Sequence, residues 1–200
     1  VDSRRFTPSL PGRRSTVPSF LYVGRLKRYK GVGYAIEALA LARRQRPELR
    51  LDIAGTGDYR SELERLVSRL ELDKAVTFHG FVSEERKIDL MRWSWANVFP
   101  SSKEGWGITV IEAAACGTPS LASESPGLRD SVRQGETGFL VPHADVAALA
   151  ARMLELADSP GLVARLGEAA RRFAEGLTWE RTAAATERHL TDIIEGSAVR

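Results

Sequence analysis

Two glutamates in the segment from Pro100 to Pro119 are the residues with the clearest potential for chemistry. Glu112 is the only charged residue between Gly107 and Gly117, in a largely apolar run that predicts a buried helix. Because burying an unpaired carboxylate costs several kcal/mol, Glu112 needs a polar partner. That partner is either a salt-bridging cation or a hydrogen-bonding ligand, and we favour the ligand.

Glu104 precedes the same helix and is followed by Gly105 and Gly107, which expose backbone N–H groups at the helix start. The N-terminus of a helix attracts anions. The spacing suggests that one carboxylate reaches hydroxyls of a sugar and the other those of a ribose, with a diphosphate between them. Glycosidase carboxylates stand about 5 to 9.5 Å apart, so we do not interpret this pair as an acid and a nucleophile.

A basic loop follows the first predicted strand, between Gly24 and Gly31. It carries Arg25, Lys27, Arg28 and Lys30 just before a predicted helix. Glycine lets backbone N–H groups approach an anion, and Arg and Lys bond its oxygens directly. The loop suits a phosphate, although it lacks the spacing of a Walker A motif, and a solvated basic surface loop is an equally open interpretation.

A second glycine pair, Gly55 and Gly57, follows the second predicted strand. A dinucleotide fingerprint would add a third glycine and an acidic residue about twenty positions later, and both are missing. Tight turns between a strand and a helix use glycine for conformational reasons alone. Asp58 is in turn a candidate helix N-cap.

Short apolar runs alternate with amphipathic stretches from Phe20 onward, which predicts an α/β fold. The predicted strands cover residues 20–23, 49–53, 75–78, 96–99, 119–122 and 138–141, and the predicted helices cover 34–46, 59–70, 84–93 and 107–115. This order favours a Rossmann-like, doubly wound parallel sheet with helices on both faces, followed by a helical C-terminal segment at about 145–195. Ligands of such sheets bind outside the carboxyl ends of the strands, where the strand order reverses.

The composition bounds the protein class. The chain has 200 residues, 43% of them hydrophobic and 28% charged, which predicts one globular domain at 19–200 after an Arg-, Ser- and Pro-rich linker at 1–18. It contains neither an apolar run of about 18 residues nor a signal peptide at the start. The single cysteine, Cys116, excludes an internal disulfide and favours a reducing, cytoplasmic setting. We predict Cys116 to be a small buried residue.

The net charge and the spacing of possible metal ligands indicate which kinds of ligand and partner to expect. A net charge of +3 suits a phosphate-bearing ligand or peripheral contact with an anionic membrane. The aromatic residues are not interleaved with the basic ones, so we expect no nucleic-acid binding. The sequence has no Cys/His cluster at zinc spacing, so we expect neither a metal nor another cofactor.

Taken in order, these motifs resemble the C-terminal domain of the GT4-like family of glycosyltransferases. The resemblance runs from Val1 to about Leu190. Its motifs are Val1-Asp-x-x-x-Phe-x-Pro8, Gly24-Arg-Leu with Lys30-Gly31, Gly55-x-Gly57, Phe78-x-Gly80-x-Val82, Pro100-Ser-x-x-Glu104-Gly-Trp-Gly-x-x-x-x-Glu112, Ala115-Cys-Gly-Thr-Pro119 and Gly135-x-x-Gly138-Phe-Leu-Val141. At Trp106 the family usually has another large side chain, often Phe.

The resemblance implies a site for a nucleotide-diphosphate sugar of the UDP or GDP type. Arg25 and Lys30 would contact the diphosphate and stabilise the departing nucleotide, and Glu112 would bind ribose hydroxyls. Glu104 and the backbone amides from Gly105 to Ile108 would hold the donor sugar. The implied binding set also includes the remaining motif residues Gly24, Gly55, Gly57, Val82, Trp106 and Gly107. Family members retain the anomeric configuration and usually need no metal.

The family's N-terminal domain, which supplies the acceptor site, is missing before Val1, so we expect this chain to be a fragment. The acceptor would be a saccharide, a lipid or a small molecule held by that domain. We expect the fragment alone to bind donor weakly and to transfer little sugar. A nucleotide-sugar epimerase of the same GT-B architecture and a noncatalytic nucleotide-sugar-binding module are the alternative functions.

Overall fold

A computed structural model of the protein describes residues 1–8 and 14–197. Residues 9–13 of the predicted linker and the final residues 198–200 lie outside the described residues. None of the helices in the described part of the chain has the length and apolar content that crossing a bilayer requires.

The chain alternates strands and helices up to its last strand and is helical after it. The strands are β1 (Ser19–Val23), β2 (Arg50–Ala54), β3 (Val76–Gly80), β4 (Ala96–Phe99), β5 (Ser120–Ser123) and β6 (Gly138–Val141). The helices are α1 (Val32–Arg43), α2 (Arg60–Arg69), α3 (Glu84–Trp93), α4 (Ile108–Ala115), α5 (Leu128–Ser131), α6 (Val146–Asp158), α7 (Pro160–Glu175) and α8 (Trp179–Ser197). A short 3₁₀ helix, Arg28–Lys30, lies in the basic loop.

Local sequence signals explain several helix starts. The hydroxyl of Ser83 accepts a hydrogen bond from the backbone N–H of Arg86 and caps α3. Asp145 caps α6 by accepting from the N–H of Ala148 at 2.8 Å. Helix α7 has a serine cap followed by Pro160 in its first turn, where the missing N–H of proline has no cost.

Helix α1 departs from its predicted range of 34–46. It begins two positions earlier because Gly31, in the left-handed conformation, ends the 3₁₀ helix and starts α1 directly. It ends at Arg43, and the chain turns before Pro47, since the residue before a proline avoids the helical conformation. The short helix α5 had no counterpart in the predicted pattern.

All neighbouring strands pair in parallel, in the order β3-β2-β1-β4-β5-β6. The order runs outward in both directions from the pair β1 and β4. The order in which the chain adds strands to the sheet therefore reverses between β1 and β4. The loops that follow these two strands lead away from each other. This topology is the doubly wound fold that the sequence predicted.

Alternating side chains of β1 enter two different cores. Phe20 and Tyr22 are buried in a cluster with residues of α1, α2 and α6. Leu21 points to the opposite face and is buried with residues of α3, α4 and α7, including Ile111 and Ala170. Helices thus cover both faces of the sheet, which is why β1 is almost wholly apolar.

The described parts of the predicted linker pack against the domain. Phe6 is 4% exposed and belongs to the core on the α3, α4 and α7 side. Arg14 donates hydrogen bonds to the carbonyl oxygens of Ser94 at 3.0 Å, Trp95 at 3.1 Å and Gly117 at 3.0 Å. Burial lowers the pKa of the Arg14 guanidinium. The segment contributes side chains to the fold on both sides of residues 9–13.

We predict that Arg14→Met lowers the free energy of unfolding by about 2 to 3 kcal/mol, because carbonyl oxygens near the domain interior lose their donor. Urea denaturation followed by circular dichroism measures the change. Arg69→Met, at an exposed position near the end of α2, is the control and should stay within about 0.5 kcal/mol of the parent. Equal stability of the two variants would contradict a structural role of Arg14.

Candidate functional site

The loops after β1, β2 and β4 enclose two adjoining cavities at the carboxyl edge of the sheet. The smaller cavity, about 250 Å³, lies between the end of β1 and the start of α4. The larger cavity, about 410 Å³, extends from the end of β1 past β2 to the segment after β3. Val23 and Gly24 line both, so the two form one cleft at the point where the strand order reverses.

Most predicted site residues line this cleft. Those on the smaller cavity are Gly24, Lys30, Glu104, Gly105, Trp106, Gly107 and Ile108. Those on the larger cavity are Gly24, Arg25, Gly55 and Val82. Two predicted residues, Gly57 and Glu112, line neither cavity directly. Gly57 packs against the backbone of Leu26. Glu112 contacts Lys87, which lines the larger cavity.

Glu104 has two partners that hold its carboxylate in the smaller cavity. Lys30 Nζ lies 2.7 Å from each carboxylate oxygen, and the buried Ser101 hydroxyl donates to Oε1 at 2.7 Å. The side chains of Lys30 and Glu104 are 14% and 17% exposed, so solvent screens this pair less than a surface ion pair. The predicted phosphate-binding lysine and the predicted sugar-binding carboxylate are therefore direct neighbours.

Glu112 of α4 has a cation as its partner in this structure. Lys87 Nζ of α3 lies 2.8 Å from Glu112 Oε2, and the two side chains are 20% and 15% exposed. The sequence predicted that this carboxylate needs a polar partner and favoured a ligand over a cation; in the structure the partner is the cation Lys87. Glu112 Oε1 has a further acceptor capacity, since an ionised carboxylate offers about four lone-pair sites.

Close backbone contacts shape the basic loop. Gly31 has φ +67°, and a Cβ there would lie 2.2 Å from the carbonyl oxygen of Pro100, after β4. Gly55 has φ +141°, and a Cβ there would lie 1.9 Å from the carbonyl oxygen of Gly24. Only glycine fits at these two positions, so the glycines join the three loops of the cleft by direct backbone packing.

Arg25 and Lys27 of the basic loop also have partners. Tyr22 Oη donates to the carbonyl oxygen of Arg25 at 2.9 Å, and burial raises the pKa of this phenol. Arg25 is exposed and donates to the hydroxyl of Tyr29 at 3.3 Å. Lys27 Nζ lies 2.8 Å from Asp58 Oδ2, and this hydrogen bond lowers the pKa of the Asp58 carboxyl. Asp58 is not the N-cap of α2, as the sequence had suggested, because the N-cap residue is Tyr59.

The start of α4 forms one wall of the smaller cavity. Gly107 is the N-cap residue, with φ +79°, and has no side chain that could cap the first turn. The first N–H groups of a helix have no acceptor within the helix, and the helix dipole places partial positive charge there. Together with Lys30, this wall makes the smaller cavity suitable for an anion.

Cys116 is buried at the end of α4, as predicted. Burial raises the pKa of its thiol to about 12. The thiolate is the nucleophilic form of cysteine, so this side chain acts as a packing residue. Within residues 1–8 and 14–197, no three His, Cys, Asp or Glu side chains come together as a metal-ligand set.

Comparison with known proteins identifies the family. The model of the family described as glycosyl transferases group 1 matches residues 5–173. The chain belongs to this family. Its sheet is one half of the GT-B architecture, and the GT4-like resemblance of its motifs is confirmed.

Relatives of the chain differ in the reactions that their names describe. The D-inositol 3-phosphate glycosyltransferase of Streptomyces scabiei is 39% identical over 175 residues, which are 83% of this chain and 39% of that protein. The structure of sucrose-phosphate synthase from Thermosynechococcus elongatus superposes with a TM-score of 0.81 at 32% identity, covering 98% of this chain and 51% of the synthase. The chain thus spans about two-fifths to half of the length of these two proteins.

A third comparison concerns the fold alone. The Anabaena protein HepE, in complex with UDP-glucose, superposes with a TM-score of 0.79 at 24% identity. The match covers 87% of this chain and 50% of that protein. The same arrangement of sheet and helices therefore occurs in a protein that was crystallised with a nucleotide sugar.

The sequence did not predict the contacts that Tyr22, Lys87 and Ser101 make with the predicted site residues. Lys87 lies in α3, where the sequence does not distinguish this partly buried lysine from the many solvated charged residues around it. Ser101 lies beside residues that attracted notice, but a serine in a loop carries no signal of its own. Its three-residue spacing from Glu104 is the clue, because such short loops let a hydroxyl reach a nearby carboxylate.

We predict that alanine substitutions at Gly31 and Gly33 change the free energy of unfolding in opposite directions. Gly31→Ala should lower the free energy of unfolding by at least about 2 kcal/mol, because it combines a left-handed backbone with a clash against Pro100. Gly33→Ala in α1 should raise it by about 0.5 to 1 kcal/mol, because a Cβ there has its nearest neighbour at 3.6 Å. Urea denaturation checks both, and a neutral Gly31→Ala would contradict the loop packing described above.

Proposed function

We propose that this chain is the donor-binding half of a retaining glycosyltransferase. It binds a nucleotide-diphosphate sugar of the UDP or GDP type, whose sugar is transferred to an acceptor held by an N-terminal domain of the full-length protein. The observation that carries the proposal is the convergence of Lys30, Glu104 and the start of α4 on one cavity at the strand-order reversal, in a member of the group 1 family.

The charges of the cleft support a diphosphate between the two cavities. Arg25 lines the larger cavity and Lys30 the smaller, and Gly24 lines both. When the bond between the sugar and the diphosphate breaks, negative charge grows on the leaving nucleotide. Arg25, Lys30 and the dipole of α4 would stabilise that charge without a metal ion.

Glu104 would have two roles in this scheme. In the unliganded cleft it neutralises Lys30 at 2.7 Å. When the diphosphate shares Lys30, the carboxylate would accept hydrogen bonds from hydroxyls of the donor sugar, aided by the amides of Gly105 to Ile108. Glu112 would accept from the ribose, and the segment from Gly80 to Val82 would lie beside the base.

The comparisons support the donor class more than the acceptor. HepE was crystallised with UDP-glucose, which supports a nucleotide sugar as the ligand of this fold. The names of the two other proteins point to an inositol phosphate and a sugar phosphate product, so the acceptor varies within the family. An acceptor saccharide, lipid or small molecule would bind to the other domain, and membrane contact would be peripheral.

We predict that Lys30→Ala and Glu112→Ala each weaken nucleotide binding by roughly tenfold or more, because each removes a charged hydrogen-bonding group. Calorimetric or NMR titration of the 200-residue chain with UDP, GDP, ADP and their sugars measures the dissociation constants. The same series identifies the base.

Two matched variants control for charge and stability in these titrations. Lys103→Ala removes an exposed lysine next to Glu104. Asp52→Ala removes a carboxylate that is 18% exposed and paired with His79, away from the cleft lining. Both should leave the dissociation constants within about twofold of the parent. Unchanged binding in Lys30→Ala and Glu112→Ala would refute the assigned roles.

We further predict that the full-length protein transfers sugar with retention, whereas this chain alone binds donor and transfers little. The reason is that the acceptor side of the cleft would belong to the other domain. Product analysis with a labelled donor and NMR of the anomeric proton test the prediction, and added EDTA should leave the rate unchanged.

The products separate the competing functions. A transferred sugar with the donor's anomeric configuration supports the proposal. An epimerised nucleotide sugar indicates an epimerase, and an unchanged donor indicates a binding module. Robust transfer by the 200-residue chain alone would contradict the division of the site between two domains.

A further inference from the structure

Lys87 is the cation of the cleft to which the proposed function gives no role. It extends from α3, lines the larger cavity and holds Glu112 Oε2 at 2.8 Å. Its side chain is only 20% exposed, which is unusual for a lysine in a helix whose neighbours are mostly charged and solvated. Its ammonium is thus held beside Glu112 at the lining of the cavity.

Phe6 from the N-terminal segment forms the second wall around this ammonium. Lys87 Nζ lies 4.9 Å from the centre of the Phe6 ring, within the range of a cation–π contact. Phe6 is 4% exposed, and its carbonyl oxygen accepts from Arg171 at 2.7 Å. Arg92 donates to the carbonyl oxygen of Thr7. Phe6 and Thr7 are therefore both held by arginines from helices of the domain.

These contacts limit how the Lys87 side chain can move. A free lysine has four rotatable bonds and loses up to about 2 kcal/mol of entropy when ordered. Here a ring face on one side and a carboxylate on the other confine the ammonium before any ligand binds. Glu112 is thereby fixed through Oε2, which leaves Oε1 to accept hydrogen bonds from a ligand.

We propose that Lys87, confined by Phe6, is a positioning residue that orients the Glu112 carboxylate toward the ribose hydroxyls of the bound nucleotide. The inference rests on the proposed function, in which Glu112 binds the ribose. Its consequence is that the N-terminal residues 1–8, which the sequence indicated to be a linker, belong to the nucleotide-binding machinery. Lys87 acts through Glu112 and makes no contact with phosphate.

The ratio of two dissociation constants tests this role. The chain is titrated with UDP and with 2′-deoxy-UDP, or with the corresponding guanine pair if GDP binds more tightly. The parent should bind the deoxynucleotide roughly tenfold more weakly, because Glu112 loses a hydroxyl partner. In Lys87→Met the ratio should fall to about two- or threefold, because the carboxylate is no longer oriented.

Three further variants complete the experiment. Lys87→Arg keeps a cation and should restore most of the ratio, and Phe6→Leu keeps an apolar side chain and should lower the ratio partially. Lys74→Met, at an exposed position before β3, is the control and should keep the parental ratio. Thermal denaturation verifies that each variant is folded at the temperature of the titration.

The outcomes are distinct. Equal weakening of both nucleotides in Lys87→Met would mean that Lys87 contacts the diphosphate directly and would overturn the proposal. A parental ratio with both dissociation constants unchanged in Lys87→Met would overturn it as well, because Lys87 would then have no part in nucleotide binding. If the parent binds UDP and Glu112→Ala abolishes the ratio, the proposed function stands in either case. If the parent binds neither UDP nor GDP, both proposals fall.

Discussion

The parallel pairing of β1 with β2 on one side and β4 on the other is the constraint on which the whole cleft depends. Parallel strands end at the same edge of a sheet, so the loops after β1, β2 and β4 are brought together there. The reversal of strand order between β1 and β4 sends their following helices to opposite faces. The gap left between them is the space in which the charged residues of the site meet.

Backbone packing holds the loops of the cleft against one another. Gly55 lies against Gly24, and Gly31 lies against Pro100, each at distances that a side chain would prevent. The loops therefore support one another through their main chains, and the lysine and glutamate side chains extend from a fixed base. Preorganised charges of this kind are the means by which enzymes stabilise a charged transition state.

Sequence patterns predicted the fold and most of the cleft lining, because both depend on local signals. The alternation of apolar runs predicted the strands, and the Glu104 to Glu112 segment predicted the start of α4. The role of Lys87 and the docking of Phe6 depend on contacts between distant parts of the chain, which composition does not reveal. The Arg, Ser and Pro content of residues 1–18 indicated a linker, although Arg14 is bonded to the domain. The carbonyl oxygens that Arg14 reaches are about 80 or more positions away, so no local pattern reveals these contacts.

The two lysines named in the cleft lining are already neutralised: Lys30 by Glu104 and Lys87 by Glu112. An anion that binds to Lys30 therefore shares this lysine with the Glu104 carboxylate and gains less from charge alone than it would at a bare lysine. A small ion such as orthophosphate, abundant in cells, has little else to offer. A molecule that also supplies hydroxyls to the Glu104 carboxylate would recover part of what it disrupts, so the ion pair would favour such a molecule over a simple anion.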